Sequence, residues 1–236
     1  MDLASAAGRV CLCAGAMTDF PFDIVAFDLD GTLADTAPDL AAALNHALEQ
    51  LGRPTIEPET VRHLVGHGAR ALLRRGLTKS GDASEDLVEQ GFPHFMEYYA
   101  ANICVGTTAF AGVDAALDML KARGVRTAVC TNKPESLSRL LIEALGWENR
   151  FDALVGGDTL PVRKPDPAPL HEAIARAGGG RSAFVGDSIV DADTARAAAL
   201  PFVAVSFGFL DRPVEELGAD AVIDAYSELI GALETL

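Results

Sequence analysis

Ile24-Val25-Ala26-Phe27-Asp28-Leu29-Asp30-Gly31-Thr32-Leu33 is the stretch on which the fold turns. It opens on an unbroken apolar run closed by turn residues, the pattern of a strand buried on both faces of a parallel sheet. Asp28 then lies where that strand ends, and Asp30 lies two residues on, in the turn opened by Gly31. In open α/β sheets, ligands bind outside the carboxyl ends of the strands. Two carboxylates placed there stay ionised together cheaply only with a cation between them. One can then serve as nucleophile and the other as acid/base, with a hard divalent metal holding the first. Asp and Gly are also ordinary turn residues, and a lone Asp-x-Asp-Gly reads first as a capped turn. The rest of the chain decides between the two.

Outward from this strand, 35–51 carries Leu40, Leu44, Leu48 and Leu51 at helical spacing, with Pro38 suited to a first turn. Residues 57–65, 69–77 and 85–101 read as further helices, with Gly66-His67-Gly68 breaking the chain before the second of these. No strand is legible between Thr36 and Val105. The pattern then changes. Helices are predicted over 113–123, 136–145, 168–177 and 192–199, alternating with strands over 127–130, 153–155, 183–185, 202–205 and 221–223. That alternation predicts an α/β fold with a doubly wound, mostly parallel, Rossmann-like sheet. The first strand belongs to this sheet yet is cut off from it by the helices. Residues 21–35 and 106–236 are therefore expected to form the core, and 36–105 an inserted all-helical cap. Residues 1–20, rich in Ala and Gly, read as a mobile tail in which Met17 is a candidate start.

Composition narrows the class. The 236 residues carry a formal charge of −15, against the clustered Lys and Arg that nucleic-acid binding requires. No apolar run approaches a membrane span, so neither nucleic acid nor membrane is an expected partner. Cys11, Cys13, Cys104 and Cys130 show neither metal-ligand spacing nor a dense disulfide framework, and read as reduced thiols of a cytoplasmic protein.

Three further motifs follow predicted core strands. In Thr131-Asn132-Lys133-Pro134, a hydroxyl, an amide and the N-terminus of the next helix form a phosphate cradle, although Thr-Asn before a helix is also common capping. In Arg163-Lys164-Pro165-Asp166-Pro167, the prolines restrain the backbone from which Lys164 projects. Its charge can then stand beside a nucleophile and transferring oxygens, where a surface lysine would merely be solvated. In Gly186-Asp187-Ser188-Ile189-Val190-Asp191-Ala192-Asp193, Asp187 falls where a metal ligand is needed, with Asp191 a helical turn later; Asp193 breaks the spacing and reads as solvated.

Four motifs in this order, each at the carboxyl end of a predicted core strand, resemble the haloacid dehalogenase superfamily of aspartate-nucleophile phosphatases from Ile24 onward. The resemblance implies that Asp28 forms an aspartyl-phosphate and that Asp30 is general acid, then base. It implies that Thr131 and the Asn132 backbone hold phosphoryl oxygens while Lys164 offsets charge. It also implies Mg²⁺ held by Asp28, the Asp30 carbonyl and Asp187, with Asp191 in support. Asp30 argues against the dehalogenase branch, which lacks that carboxylate. A helical cap implies a small phosphorylated metabolite as substrate. Leu64 to Leu72, Cys130 to Pro134 and Asp187 to Arg196 resemble the branch of the family that acts on a two-carbon phosphorylated acid, which implies that substrate. The alternatives are N-acetylmuramic acid 6-phosphate, pyrophosphate, a sugar phosphomutase reaction, and a silent binding protein on the same fold; release of phosphate from an aryl phosphate separates the last from the rest. Substrate selection is expected around Gly66, His67, Gly68 and Arg70, where close backbone approach and a guanidinium can meet a carboxylate. Arg70, Arg74 and Arg75 equally fit the solvated face of a cap helix. One departure is Ala109-Phe110-Ala111-Gly112, where relatives carry prolines, which is expected to loosen the hinge. The oligomer is expected to be a monomer or homodimer.

Overall fold

The computed structural model describes residues 20–236; the expected tail, with Cys11, Cys13 and Met17, lies outside the described residues except for Phe20. Strand β1 (Ile24–Phe27) is buried throughout. The chain leaves it through β2 (Ala34–Asp35) into four helices, α1 (Ala37–Gln50), α2 (Pro58–Arg62), α3 (Ala69–Lys79) and α4 (Glu85–Ala101). It returns through β3 (Thr108–Ala109), which pairs antiparallel with β2, so outgoing and returning chains run side by side. Then come α5 (Val113–Ala122), β4 (Arg126–Cys130), α6 (Glu135–Ala144), β5 (Ala153–Val155), α7 (Ala168–Arg176) and β6 (Ser182–Gly186). The chain closes with α8 (Ile189–Ala198), β7 (Phe202–Val205), β8 (Ala221–Ile223) and α9 (Leu229–Glu234).

Six strands form one sheet in the order β5-β4-β1-β6-β7-β8, with every pairing parallel. Residues alternate between its two faces. Val25, Phe27, Val129 and Val185 pack toward α5 and α9, while Ile24, Ala26, Ala128 and Phe184 pack toward α7 and α8. Because both faces are covered, the strands read as continuous apolar runs. Strand order reverses at β1, and the crevice that opens there is the ligand position of doubly wound sheets. Phe27 pairs with both Val129 and Val185, so β1, β4 and β6 end level with one another. Asp28, Thr131 and Asp187 follow those ends within two residues.

Helices α1 to α4 form their own apolar cluster around Leu44, Leu48, Leu73, Leu77, Phe95 and Tyr99, joined from the sheet side by Leu137 of α6. Asp39 on α1 ties down the returning chain. It accepts from the N–H groups of Val105 (3.0 Å), Gly106 (2.8 Å) and Thr107 (2.8 Å), and from Thr107 Oγ1 (2.7 Å). Asp39→Ala strands several of these donors and is expected to cost about 3 kcal/mol of unfolding free energy. Denaturant titration at unchanged m-value checks this; a loss below about 1 kcal/mol would mean that water replaces the carboxylate.

Several boundaries differ from the sequence expectation. Helix α1 starts at Ala37 because Ala34 and Asp35 are taken by the β2–β3 ribbon. Helix α8 starts at Ile189, three residues before Ala192, because Ser188 and Asp191 form a reciprocal capping box. Helix α9, absent from the sequence reading, is only six residues long and contains Gly231, too little for a helical period to show. The segment expected to loosen the hinge is held at its start: Ala109 pairs with Ala34, and Phe110 N–H donates to Leu33 O at 3.1 Å.

Candidate active site

Asp28 sits one residue beyond β1, its N–H bonded to Val185 O (2.9 Å) and its side chain buried. Lys164 Nζ, brought in by the loop before α7, lies 2.9 Å from Asp28 Oδ1 and 2.6 Å from Asp191 Oδ1. The Lys164–Pro165 peptide is cis. Burial works against charge on Lys164, but Asp191 and Asp28 hold its pKa above the ordinary lysine value. Burial pushes the Asp28 carboxyl up to about 7, against the pull of Lys164 and reinforced by Asp191 and Asp30.

Asp187 and Asp191 come from the turn between β6 and α8. Asp187 Oδ1 accepts from Thr32 Oγ1 (2.9 Å) and Oδ2 from Phe209 N–H (2.6 Å). Burial raises its pKa well above the ordinary value, and Asp191 and Asp28 add to this. Asp191 is occupied at both oxygens, by Lys164 at Oδ1 and by Ser188 Oγ (2.6 Å) at Oδ2. These contacts fix Lys164 and the β6–α8 turn and hold Asp191 beside Asp28 and Asp187. Gly31, at φ +84°, packs so closely on Asp187 Oδ2 that a Cβ would clash.

Asp28, Asp187 and Asp191 bring carboxylate oxygens within 4.8 Å of one another. Asp28 Oδ1 is buried and receives no aligned hydrogen bond, despite the nearby Lys164 charge. If all four carboxylates (Asp28, Asp30, Asp187, Asp191) are ionised, the two ammoniums (Lys133, Lys164) leave two negative charges uncompensated, and without a cation Asp28 and Asp187 hold their protons more tightly instead. An all-oxygen donor set with that deficit fits a hard divalent cation.

Asp30 faces the other way, toward the helices. Its Oδ1 accepts from Thr36 Oγ1 (2.7 Å) and from Lys133 Nζ (2.7 Å). Lys133 Nζ also donates to Tyr99 OH of α4 at 2.7 Å. Burial opposes its charge, yet Asp30 and Tyr99 keep Lys133 above the ordinary lysine pKa. Lys133 and Tyr99 were both missed as site residues. Lys133 had a sequence signal, since it follows Thr131-Asn132 in the same motif; Tyr99 had none, since an aromatic in an amphipathic helix reads as core.

Thr131 is buried, with its Oγ1 accepting from Lys133 N–H at 3.2 Å. Asn132 Nδ2 donates to Lys164 O (3.1 Å) and to Gly66 O (3.3 Å), linking the sheet loops to the helices. A cavity of about 30 Å³ lies between them, walled by Asp28, Asp30, Thr131, Asn132 and Lys133 below, and by Gly66, Gly68, Leu72, Phe95 and Tyr99 above. His67 is half-buried beside this loop but does not line the cavity. Burial, with Arg75 adding, lowers its pKa. The structure does not bring Arg70 to the site. It is exposed, paired with Glu89, with its guanidinium 3.9 Å from the centroid of the Phe92 ring. At the second position of α3 it points along the outer helix face, where α4 supplies both partners.

Buried carboxylates and ammoniums at the reversal point of a doubly wound sheet are the equipment of an α/β hydrolase that handles a phosphoryl group. The family model for haloacid dehalogenase-like hydrolases matches residues 22–199. A phosphoglycolate phosphatase of Caulobacter vibrioides is 44% identical over 219 residues, covering 90% of this chain and 91% of that protein. One from Mesorhizobium japonicum is 43% identical over 210 residues, covering 87% and 92% respectively. Among solved structures, a predicted phosphoglycolate phosphatase from Haemophilus somnus superposes with a TM-score of 0.84 at 30% identity, covering 89% of this chain and 97% of that one. The chain belongs to the haloacid dehalogenase-like hydrolase family and is a phosphatase within it. No helix among the described residues is long and apolar enough to cross a membrane.

Proposed function

We propose that this phosphatase hydrolyses 2-phosphoglycolate to glycolate and phosphate through an aspartyl-phosphate on Asp28, with Mg²⁺ as cofactor. The observation that carries the chemistry is the division of labour between two carboxylates. Asp28 faces Lys164, Asp187 and Asp191, whereas Asp30 faces Lys133 and the cavity. In the first step an Asp28 oxygen attacks phosphorus, the bond to the leaving oxygen breaks, and Asp30 gives that oxygen its proton. In the second, Asp30 takes a proton from water, the resulting hydroxide attacks phosphorus, and Asp28 leaves as a free carboxylate. Thr131 Oγ1 and the Asn132 N–H hold phosphoryl oxygens, and Lys164 offsets the negative charge of nucleophile and phosphoryl group. Asp28, the Asp30 carbonyl and Asp187 would hold Mg²⁺ with Asp191 in support, and the ion would neutralise phosphoryl charge.

Helices α1 to α4 act in this reading as a cap over the site, inserted over 36–105 in a core of 21–35 and 106–236. Its apolar wall, with Leu40, Leu72, Phe95 and Leu137 closing over the cavity, favours a small leaving group over the polar, bulky sugar of N-acetylmuramic acid 6-phosphate. The protein works in the cytoplasm as a monomer or homodimer. Phosphate release from 2-phosphoglycolate, N-acetylmuramic acid 6-phosphate, pyrophosphate and hexose phosphates, with Mg²⁺ present, tests the assignment. The highest kcat/KM is expected for 2-phosphoglycolate, by about tenfold or more. A preference for pyrophosphate or a sugar phosphate would replace it.

A further inference from the structure

With Arg70 turned away from the site, the structure supplies a different cation for the leaving group. We propose that Lys133, steadied by Tyr99 of α4, reads the carboxylate of that leaving group; the inference rests on the assignment of Asp30 as the acid that protonates it. Lys133 is the one cation among the described residues that line the cavity. An ammonium has three N–H donors, and Asp30 and Tyr99 OH take two of them. The third is available to a ligand.

Its position follows from the chemistry. The leaving oxygen must come within hydrogen-bond distance of Asp30, and Lys133 Nζ is 2.7 Å from Asp30 Oδ1. In a glycolate leaving group the carboxylate is two bonds from that oxygen, so it falls within reach of Nζ. The surroundings strengthen the contact. Leu40, Leu72, Phe95 and Leu137 line the same cavity, and an ion pair among apolar walls is far stronger than one in water. Lys133 and Tyr99 are themselves almost wholly buried, so the ammonium is held in place before the ligand arrives. Tyr99 belongs to α4, whereas Lys133 and Asp30 follow β4 and β1, so the reader is complete only when the helices are seated on the sheet.

Three substrates separate the possibilities. 2-Phosphoglycolate and ethyl phosphate share a two-carbon, poor leaving group and differ in the carboxylate; an aryl phosphate has a leaving group that needs little protonation. Lys133→Met is expected to lower kcat/KM for 2-phosphoglycolate by about 10²-fold, and for ethyl phosphate at least tenfold less. Glycolate should inhibit the variant more weakly, while Lys133→Arg should restore part of the preference. Equal losses on the two alkyl phosphates with the aryl phosphate spared would make Lys133 a positioning residue for Asp30 and overturn the proposal. Equal losses on all three would reduce it to a structural role. If Lys133→Met does not fold, Tyr99→Phe tests the same point: KM for 2-phosphoglycolate should rise several-fold more than KM for ethyl phosphate, and parallel changes would count against it. A wild-type enzyme inactive on 2-phosphoglycolate but active on another phosphate ester would instead remove the 2-phosphoglycolate assignment itself.

Discussion

Asp28→Asn is expected to abolish turnover on every phosphate ester, by about 10⁵-fold or more, while the protein still folds. Asparagine matches aspartate in shape, so the packing between β1 and β6 is kept. What disappears is the oxygen charge that attacks phosphorus. Lys164 keeps a partner, because Asp191 Oδ1 remains 2.6 Å from its Nζ. Thermal melting and phosphate release on the same preparation separate chemistry from folding. Retention of more than about one per cent of wild-type activity would sink the aspartyl-phosphate route. Asp30→Asn provides the contrast. General acid/base help is worth roughly 10²–10⁴-fold, and an aryl leaving group can depart without it. That variant should therefore release one equivalent of phenol per enzyme in a burst and then stall, because the water in the second step has lost its base. Steady release without a burst would place the acid/base elsewhere.

Much of this site was legible because parallel strands buried on both faces leave so little freedom. Ile24–Phe27, Ala153–Val155 and Phe202–Val205 have no polar face to blur the pattern, and the carboxyl ends of such strands are where chemistry collects. Asp28, Asp187 and Asp191 could be picked out because they follow strand ends, and Lys164 because Pro165 restrains it; the order of their motifs carries the family resemblance. The helices above the sheet lack that regularity. Arg70 is at a position from which either the cavity or solvent is reachable, and the choice is made by Glu89 and Phe92 on α4, which no spacing within α3 reveals. Tyr99 illustrates the converse. Its ring packs with Phe95 in the apolar cluster like any core aromatic, and only the three-dimensional meeting with Lys133 gives its hydroxyl a partner in the site. Residues that act across the junction of two apolar clusters are set by docking, and docking leaves no period in either segment.

Removal of divalent metal should abolish activity, with Mg²⁺ restoring it and Ca²⁺, which prefers more ligands at longer distances, inhibiting. The same cluster predicts how stability depends on pH. Without metal, burial raises the Asp28 carboxyl from 3.8 to about 7, so between those values the folded protein holds a proton that the unfolded chain has released. Stability of the metal-free protein therefore falls as pH rises from about 4 to about 7, and the loss is complete above 7. Asp28→Asn removes this cost. In chelator at pH 8 the variant should melt above wild type, and the difference should vanish near pH 4, where both side chains are neutral. Metal binding reverses the order, because a cation favours the ionised carboxylates and binds only the folded arrangement. At Mg²⁺ about a hundredfold above its dissociation constant, wild type should gain roughly 2.7 kcal/mol, a rise of about 5–10 °C in Tm for a chain of this size, and Asp28→Asn much less. The gain should grow from pH 5.5 to 8, as protons cease to compete for Asp28. A wild-type Tm that ignored Mg²⁺ across that range would mean that the two uncompensated charges are balanced in some other way, and that Asp28, Asp187 and Asp191 do not form a metal site.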